Sequence, residues 1–495
     1  MTSRHRVARA VFLRALGVVY AFAFLSLARD GKGLLGGRGV LPIASFLAAQ
    51  REMFGAPAPL RVPSLFWLSA SDGVLVGAAW TGVLVALLLV AGCASSVALA
   101  LAWFLWLSFV TTGQVFVAYP CDLLLVEAGF LAILLSPSAS FKPRFAPAWP
   151  VVFLLRWLAF RALFGAGIAR LHSDPCWSSL TCLPEYFETA PGATIASFYA
   201  HALPPGVHRV LGFLALFGEL VVPFGFFAPR RVRMIAGAVT AVLSALSALL
   251  TSAQFSSLMI LLLSVFCFDD AFFERTPIAR RAVARDGAEL SRRRFIAVGA
   301  ACAVLFALSL LLLPRTLSPT PGMEASLEPL HLVNAYGVVE AVERTRTEVV
   351  FEGTWDDVAS GPAHWLEYEL PCKPGDPARA PCSPSPYVHR LDVHLWQAAL
   401  GDFRREPWVI RVMDDLLREN RDVTSLFARD PFVTRPPRFV RAERYRYRFA
   451  SGSEPPYWRR ERIDDYVRPF STQDPALYEY LFLHHWLRDA GAPAQ

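Results

Sequence analysis

Two charged residues stand where a charge is costly. Arg161 lies near the middle of the apolar run Val151–Arg170, and Glu219 lies inside the next run, Val207–Ala228. A charge at a bilayer centre costs about 2.5–3.5 kcal/mol on insertion scales, so it is kept only opposite a partner, a cavity or a substrate. At about 1.5 Å per residue, Arg161 is about 15 Å and Glu219 about 18 Å from the outer ends of their antiparallel runs. The matched depths predict that the two side chains pair. Such a pair would first of all fix helix register, and a proton or substrate site is the sharper alternative. Glu127 and Asp122, in the short run Asp122–Ser136, are secondary candidates, and Arg156 is near enough to the cytoplasmic end to snorkel.

The cysteines divide into two sets. Cys176 with Cys182, and Cys372 with Cys382, are close pairs outside the apolar runs. They are disulfide candidates for an oxidising compartment, each closing a loop worth roughly 2–3 kcal/mol by chain entropy. Cys93, Cys121, Cys267 and Cys302 lie in or beside apolar runs and read as free thiols. Neither close pair is Cys-x-x-Cys, the spacing of thioredoxin-type exchange. His389, His394 and the adjacent His484 and His485 lack metal-ligand spacing, and there is no His-Glu-x-x-His. No metal or other cofactor is expected. A Gly-x-Ser-x-Gly elbow is absent, so no residue is assigned as catalytic. Phe164-Gly165-Ala166-Gly167 offers small residues for close helix packing, and no strand precedes it as a phosphate loop requires. Asp269-Asp270 reads as a solvated helix end.

The elements that must position these residues follow from composition. The chain has 495 residues, 54% hydrophobic and 18% charged, whereas soluble domains carry about a quarter charged. The apolar excess falls in residues 1–313. Nine runs there approach the roughly 20 residues needed to cross a bilayer: Val11–Ala28, Val74–Gly92, Val97–Val117, Asp122–Ser136, Val151–Arg170, Val207–Ala228, Met234–Thr251, Phe255–Phe273 and Phe295–Leu313. The basic, then apolar, N-terminus reads as an uncleaved first helix. The segment Leu41–Phe54 has helical spacing broken by Gln50, Arg51 and Glu52, and suits the membrane interface.

The net charge is +7, but the basic residues fall in short loops rather than in one patch. With the N-terminus inside, the inner loops hold Lys142, Arg144, Arg230, Arg231, Arg233 and the arginines of 274–294, while the outer loops 118–121, 171–206 and 252–254 hold no Lys or Arg. Only 29–73 dilutes the pattern. This is the positive-inside bias, and it predicts nine crossings with the C-terminus outside. No nucleic-acid motif competes with it.

After a Pro-rich linker, 314–321, residues 322–495 read as a soluble extracytoplasmic α+β domain. Strands are expected at Thr347–Gly353, Trp365–Leu370 and Arg444–Phe449, and helices at Leu391–Leu400, Trp408–Asn420 and Ala476–Arg488. The fold class is thus an α-helical polytopic membrane bundle of about nine spans followed by a soluble α+β domain. The stretch Phe439–Arg462 is rich in Arg and aromatics, which dominate interface hot spots. Tyr445, Tyr447, Trp458, Arg459 and Arg460 are therefore partner-binding candidates, against the plainer reading of a domain core with a solvated basic face.

These motifs together resemble the lipase maturation factor family. The resemblance runs through Asp122-Leu123-Leu124-Leu125-Val126-Glu127-Ala128-Gly129-Phe130-Leu131, Arg156-Trp157, Phe160-Arg161, Phe164-Gly165-Ala166-Gly167 and Glu219-Leu220-Val221-Val222-Pro223-Phe224. It continues in the tail with Asn334-Ala335-Tyr336-Gly337, Phe351-Glu352-Gly353, Lys373-Pro374-Gly375-Asp376, Arg390-Leu391-Asp392 and Tyr445-Arg446-Tyr447. The family's conserved loop is matched at Asp174, Trp177, Thr181, Glu188 and Thr189, although Tyr186 stands where the family tends to have histidine. Departures after Gly353 and after Asp392 touch client identity more than fold. The resemblance implies a membrane-anchored, non-catalytic folding or assembly factor for secreted lipases or related exported hydrolases, with the bilayer and a client protein as partners. In eukaryotes the family sits in the endoplasmic reticulum membrane with its domain in the lumen. The Ala- and Arg-rich composition points instead to a bacterial inner membrane with a periplasmic tail. Two other classes compete: a membrane enzyme or small-molecule transporter using the buried charges, and a structural anchor for a periplasmic complex.

Overall fold

The protein is described from a computed structural model at residues 5–117, 119–136, 146–251, 254–273, 290–318, 326, 328–337, 342–383, 385–387, 389–452, 455–484 and 486. Lys142, Arg144, most of the arginine-rich loop 274–294, part of the linker and the last nine residues fall outside that description.

The apolar runs become helices: α1 (Arg6–Leu35), α2 (Ile43–Phe54), α3 (Asp72–Val90), α4 (Ser96–Thr112), α5 (Pro120–Leu135), α6 (Trp149–Ser173), α7 (Pro205–Leu220), α8 (Arg230–Leu250), α9 (Gln254–Ser264) and α10 (Arg292–Leu311). Their starts follow capping chemistry. The Ser95 hydroxyl accepts the Ala98 N–H at the head of α4. Pro120 occupies the first turn of α5, and the Asp122 carboxylate accepts the Tyr119 N–H at 3.3 Å. The longest helix, α1, packs along α3.

Helix length and composition do not by themselves confirm the expected nine spans. Among the described residues, six helical segments are long and apolar enough to cross a membrane: Arg6–Leu35, Asp72–Val90, Trp149–Ser173, Pro205–Phe227, Arg230–Leu250 and Arg292–Leu311. Ser96–Thr112 and Phe255–Cys267 are shorter apolar helices. The 16 residues of α5 reach about 24 Å at 1.5 Å per residue. Local chemistry ends these three early. Gly113 stops α4, a 3-10 turn at Val265–Cys267 followed by extended Phe268 ends α9, and Ser136 leaves helical geometry after α5. The segment expected at the interface is α2, which buries only Ile43 and Leu47 and leaves Met53 exposed.

In the tail, β1 (Arg346–Thr354), β2 (Leu366–Glu367), β3 (Phe439–Phe449) and β4 (Trp458–Phe470) form one antiparallel sheet in the order β2-β1-β3-β4. Helices α11 (Arg390–Ala399), α12 (Trp408–Leu417) and α13 (Pro475–Leu483) accompany it. The alternation of β3 sends Tyr445, Tyr447 and Phe449 to one face and Arg444, Arg446 and Arg448 to the other. Acids on β4 meet two of those arginines: Asp464 lies 2.5 Å from Arg444 and Glu461 3.3 Å from Arg446. The basic face is therefore largely neutralised across the strands. The Trp365–Leu370 expectation shrinks to the two-residue β2, with Glu369 bridging to Arg429. The 13-residue β4 went unforeseen because its charges interrupt the period-two pattern.

The tail does not fold apart from the bundle. Its apolar side chains and those of the helices form one continuous core, with Phe116 edge-on to Trp408 at 5.4 Å and to His394 at 5.2 Å. The expected loop 171–206 is itself mostly helical, at Pro175–Ser178, Leu183–Thr189 and Ile195–His201.

Candidate functional site: a buried ion-pair network and the loop–tail junction

Arg161 is buried on α6, and its guanidinium pairs with Glu127 of α5, not with Glu219. Glu219 instead pairs with Arg170 at 2.7 Å. Depth alone misassigned the partners, because it ignores azimuth. Arg161 and Arg170 are nine positions apart on one helix, about two and a half turns at 3.6 residues per turn, and so face opposite sides. One side looks to α5 and the other to α7.

The tail completes the Arg161–Glu127 pair. The Asn334 carbonyl accepts from Arg161 at 2.9 Å. The Glu127 carboxylate accepts from the Asn334 N–H at 3.1 Å and from the Tyr336 hydroxyl at 2.8 Å. Both carboxylate oxygens and both terminal nitrogens of the guanidinium thus have partners, which a buried pair needs to offset its desolvation. This close approach of tail to helix requires Gly165: a Cβ there would lie 2.1 Å from the Tyr336 carbonyl oxygen. The facing Gly337 has φ +139°, open to glycine but strained for other residues. The small-residue stretch is therefore a packing notch, and what packs into it is the tail.

Further ties run between tail and helices. Arg390 of α11 holds Asp122 through two bonds of 3.1 Å and also donates to the Phe116 carbonyl at 2.7 Å. Asp422 takes Lys32 of α1 at 2.9 Å, and the Tyr387 hydroxyl donates to Asp30 at 3.1 Å. Arg156 donates to the Phe266 carbonyl at 2.8 Å, so it caps a neighbouring helix end instead of snorkelling. Asp269, expected to be a solvated helix end, is buried and paired with Arg230.

The second centre is the contact between residues 174–201 and the sheet. Arg346 of β1, fully buried, donates to the carbonyls of Glu188, Ala190 and Pro191 at 3.0, 2.6 and 3.0 Å. Its Nε meets Glu348 at 2.7 Å, and Lys373 approaches the other Glu348 oxygen at 3.2 Å. Burial pushes the Lys373 ammonium below its ordinary value, with Glu348 opposing. The Glu188 carboxylate accepts the Phe449 N–H at 2.9 Å, and the Thr189 carbonyl accepts from the Trp396 indole at 2.9 Å. Arg344 reaches Asp174 at 3.0 Å. The Cys176–Cys182 and Cys372–Cys382 disulfides both form, and the Cys382 carbonyl accepts the Ile195 N–H at 3.0 Å. Asp174, Cys176 and Cys182 lie close together, but with both sulfurs in a disulfide no thiolate is left to bind a metal.

Of the family-loop residues, Glu188, Thr189 and Asp174 make tail contacts and Trp177 is buried beneath them, while Thr181 is exposed, its hydroxyl bonded to Ser179 and its N–H to the Cys176 carbonyl. Of the partner-binding candidates, Tyr447 and Trp458 are buried, packed with Phe198 and Ala193. Their partner is this chain's own 190–201 segment, because the β3 face that carries them is roofed by it. Tyr445 is half-buried against Glu352, and Arg460 is paired with Glu367. Arg459 alone of the five is exposed. Sequence reasoning missed the roles of Asn334, Tyr336, Arg346, Glu348, Arg390 and Arg170. Asn334, Tyr336 and Arg390 stand inside family motifs, so the signal was there but not their partners.

The comparisons with known proteins agree with this architecture. Residues 7–275 match the model of the lipase maturation factor transmembrane domain, and residues 332–468 match that of the lipase maturation factor C-terminal domain. The chain is 36% identical to lipase maturation factor 1 of Bos taurus, covering 97% of this chain and 91% of that protein. It is 34% identical to lipase maturation factor 1 of Homo sapiens, covering 98% and 90%. With lipase maturation factor 2 of Homo sapiens it shares 29% over 99% and 86%. No solved structure matches. The aligned lengths take in both the Arg161–Glu127 network and the loop–tail junction, and on that basis this chain belongs to the lipase maturation factor family.

Proposed function

We propose that the protein is a membrane-anchored, non-catalytic maturation factor that helps secreted lipases or related exported hydrolases fold or assemble. The observation that carries this reading is the loop–tail junction. The disulfide-bearing loop and the disulfide-bearing tail build one body, joined through Arg346, Glu188 and the Ile195–Cys382 bond. Disulfides belong to oxidising compartments, so this body stands on the extracytoplasmic side, with the N-terminus inside. The three shorter helices α4, α5 and α9 cross within the bundle, sheltered by their neighbours, and give the nine crossings that such a topology needs. The compartment is a bacterial periplasm and the membrane the inner one. The relatives' names supply the client class. Neutralisation of Arg161 by Glu127, and of Arg170 by Glu219, favours a structural role for the intramembrane charges over transport or catalysis.

Two experiments test this. Deleting the gene should leave secreted lipase synthesised but inactive and aggregated, and unchanged activity and level of folded lipase would reject the reading. A periplasm-active reporter fused after Pro321 should be active, and activity only of a cytosolic reporter would reject the topology.

A further inference from the structure

A cavity of about 270 Å³ lies among α6, α7, α8 and α9. Its wall is mostly apolar, with Leu163, Leu211, Leu214, Leu243, Leu250 and Ile260 among the lining residues. Four side-chain atoms on lining residues are buried without a hydrogen-bond partner: Trp177 Nε1, Arg170 Nε, Glu219 Oε2 and Thr240 Oγ1. Trp177 is 1% exposed and Thr240 2%. Leaving such a group unmet forfeits its hydration with nothing in return, and clusters of them in a protein call for an explanation. An apolar pocket with a few convergent polar groups is the usual form of a small-molecule site, at about 300–1,000 Å³.

The chemistry of the four atoms narrows the ligand. Trp177 and Arg170 offer donors, Glu219 offers an acceptor, and the Thr240 hydroxyl is both. The cations and anions cancel, since Arg170 is bonded to Glu219 at 2.7 Å and lies over the Trp177 ring at 4.8 Å. A matching head is neutral and carries hydroxyl groups, able to give a hydrogen bond to Glu219 and accept one from Trp177. The apolar wall suits an alkyl chain. Leu214 and Phe217, on the same helix and exposed, open that wall toward the surrounding lipid. We infer that this cavity binds a neutral, hydroxyl-headed single-chain lipid, of the monoacylglycerol class, with its head at Trp177–Glu219 and its chain between α7 and α8.

The test uses the full-length protein in phosphatidylcholine nanodiscs with a diazirine-bearing monoacylglycerol. Cross-links should map to 205–220 and 230–250 and be displaced by unlabelled monoacylglycerol. A fatty acid of equal chain length should compete at least about tenfold less well, because its charge has no unpaired cation to meet. Trp177→Phe and Thr240→Val keep shape and each remove one polar group. Each should weaken competition about tenfold, while Ile235→Ala, on the exposed face of α8, leaves it unchanged. Thr240→Val covers the case in which Trp177→Phe fails to fold. Equal competition by fatty acid and monoacylglycerol, labelling spread over all helices, or no effect of either variant would overturn the assignment and leave the orphan atoms to water.

Discussion

The first and second halves of the helical region are built differently. In α1, α3 and α6, 56%, 44% and 61% of the most apolar window is buried within the protein, whereas in the Pro205–Phe227 segment, α8 and α10 it is 28%, 22% and 22%. The two groups are similarly apolar, so hydrophobicity does not separate them. The tail's polar ties do: Asn334, Tyr336, Arg390, Tyr387 and Asp422 all bind residues of α1, α5 or α6. One half is a packed core roofed by the tail, the other keeps its apolar faces for lipid, and the cavity lies where α6 of the first meets the second. Similar helices thus differ in role because of what covers them.

The sharpest way to break that difference is to remove one member of the buried pair. Arg161→Ala leaves Glu127 charged without its cation, and such a change typically costs 3–5 kcal/mol. We expect little folded protein in detergent by size-exclusion chromatography. The double variant Arg161→Met, Glu127→Leu should recover more folded protein than either single, and failure to do so would mean that the pair is not the energetic unit. Next in size is Arg346→Met, which orphans three carbonyls around Ala190 and leaves Glu348 to Lys373 alone. The loop–tail junction should lose about 3 kcal/mol, read as faster proteolysis in 171–206, while α8 and α10 stay equally protected.

A smaller effect comes from two titrating groups on the roof. Burial pushes the Asp392 carboxyl up to about 7, so the fold favours its protonated form. Its contribution is complete below about pH 4, where the unfolded chain is protonated too, and is lost as pH rises through about 7. Burial, helped by Arg390, pushes His394 down to about 3. Its contribution is present above about pH 6.5 and lost as pH falls through about 3. Between pH 7 and 5 the two oppose each other, and the melting temperature should vary little. In Asp392→Asn the histidine acts alone, so stability should fall on acidification from pH 7 to 5 by roughly 1–2 kcal/mol. A profile parallel to wild type would count against the burial argument. The smallest effect is expected on the uncovered side. Ile235 is 65% exposed on α8, and Ile235→Ala should change stability in nanodiscs by about 0.5 kcal/mol or less. A larger loss would show that another protein, not lipid, covers that face.

How much of this was legible varies by interaction. Cysteine spacing was enough for both disulfides, because the two pairs, six and ten residues apart, stand away from the apolar runs in or beside which the other four cysteines lie. Arg161 was legible as a buried charge needing a partner, but which carboxylate it meets was not, since azimuth emerges only when helices pack. Tyr447 and Trp458 read as surface candidates because the sequence could not show that residues 190–201 fold over them.

Composition and period by themselves determined that residues 1–313 form apolar helices and that the tail is a mixed sheet and helix structure. Those properties depend on neighbours along the chain: runs of apolar residues, caps, and alternation at a spacing of two. Only tertiary structure decided that the tail threads Asn334 and Tyr336 into the bundle, that Gly165 is the notch receiving them, and that three apolar runs form shorter helices than the rest. The physical reason is range. A buried charge, a cavity and a roofed face are each defined by atoms from distant parts of the chain, from 34 residues away for Glu127 to 173 for Asn334, and no local pattern encodes where those atoms will be.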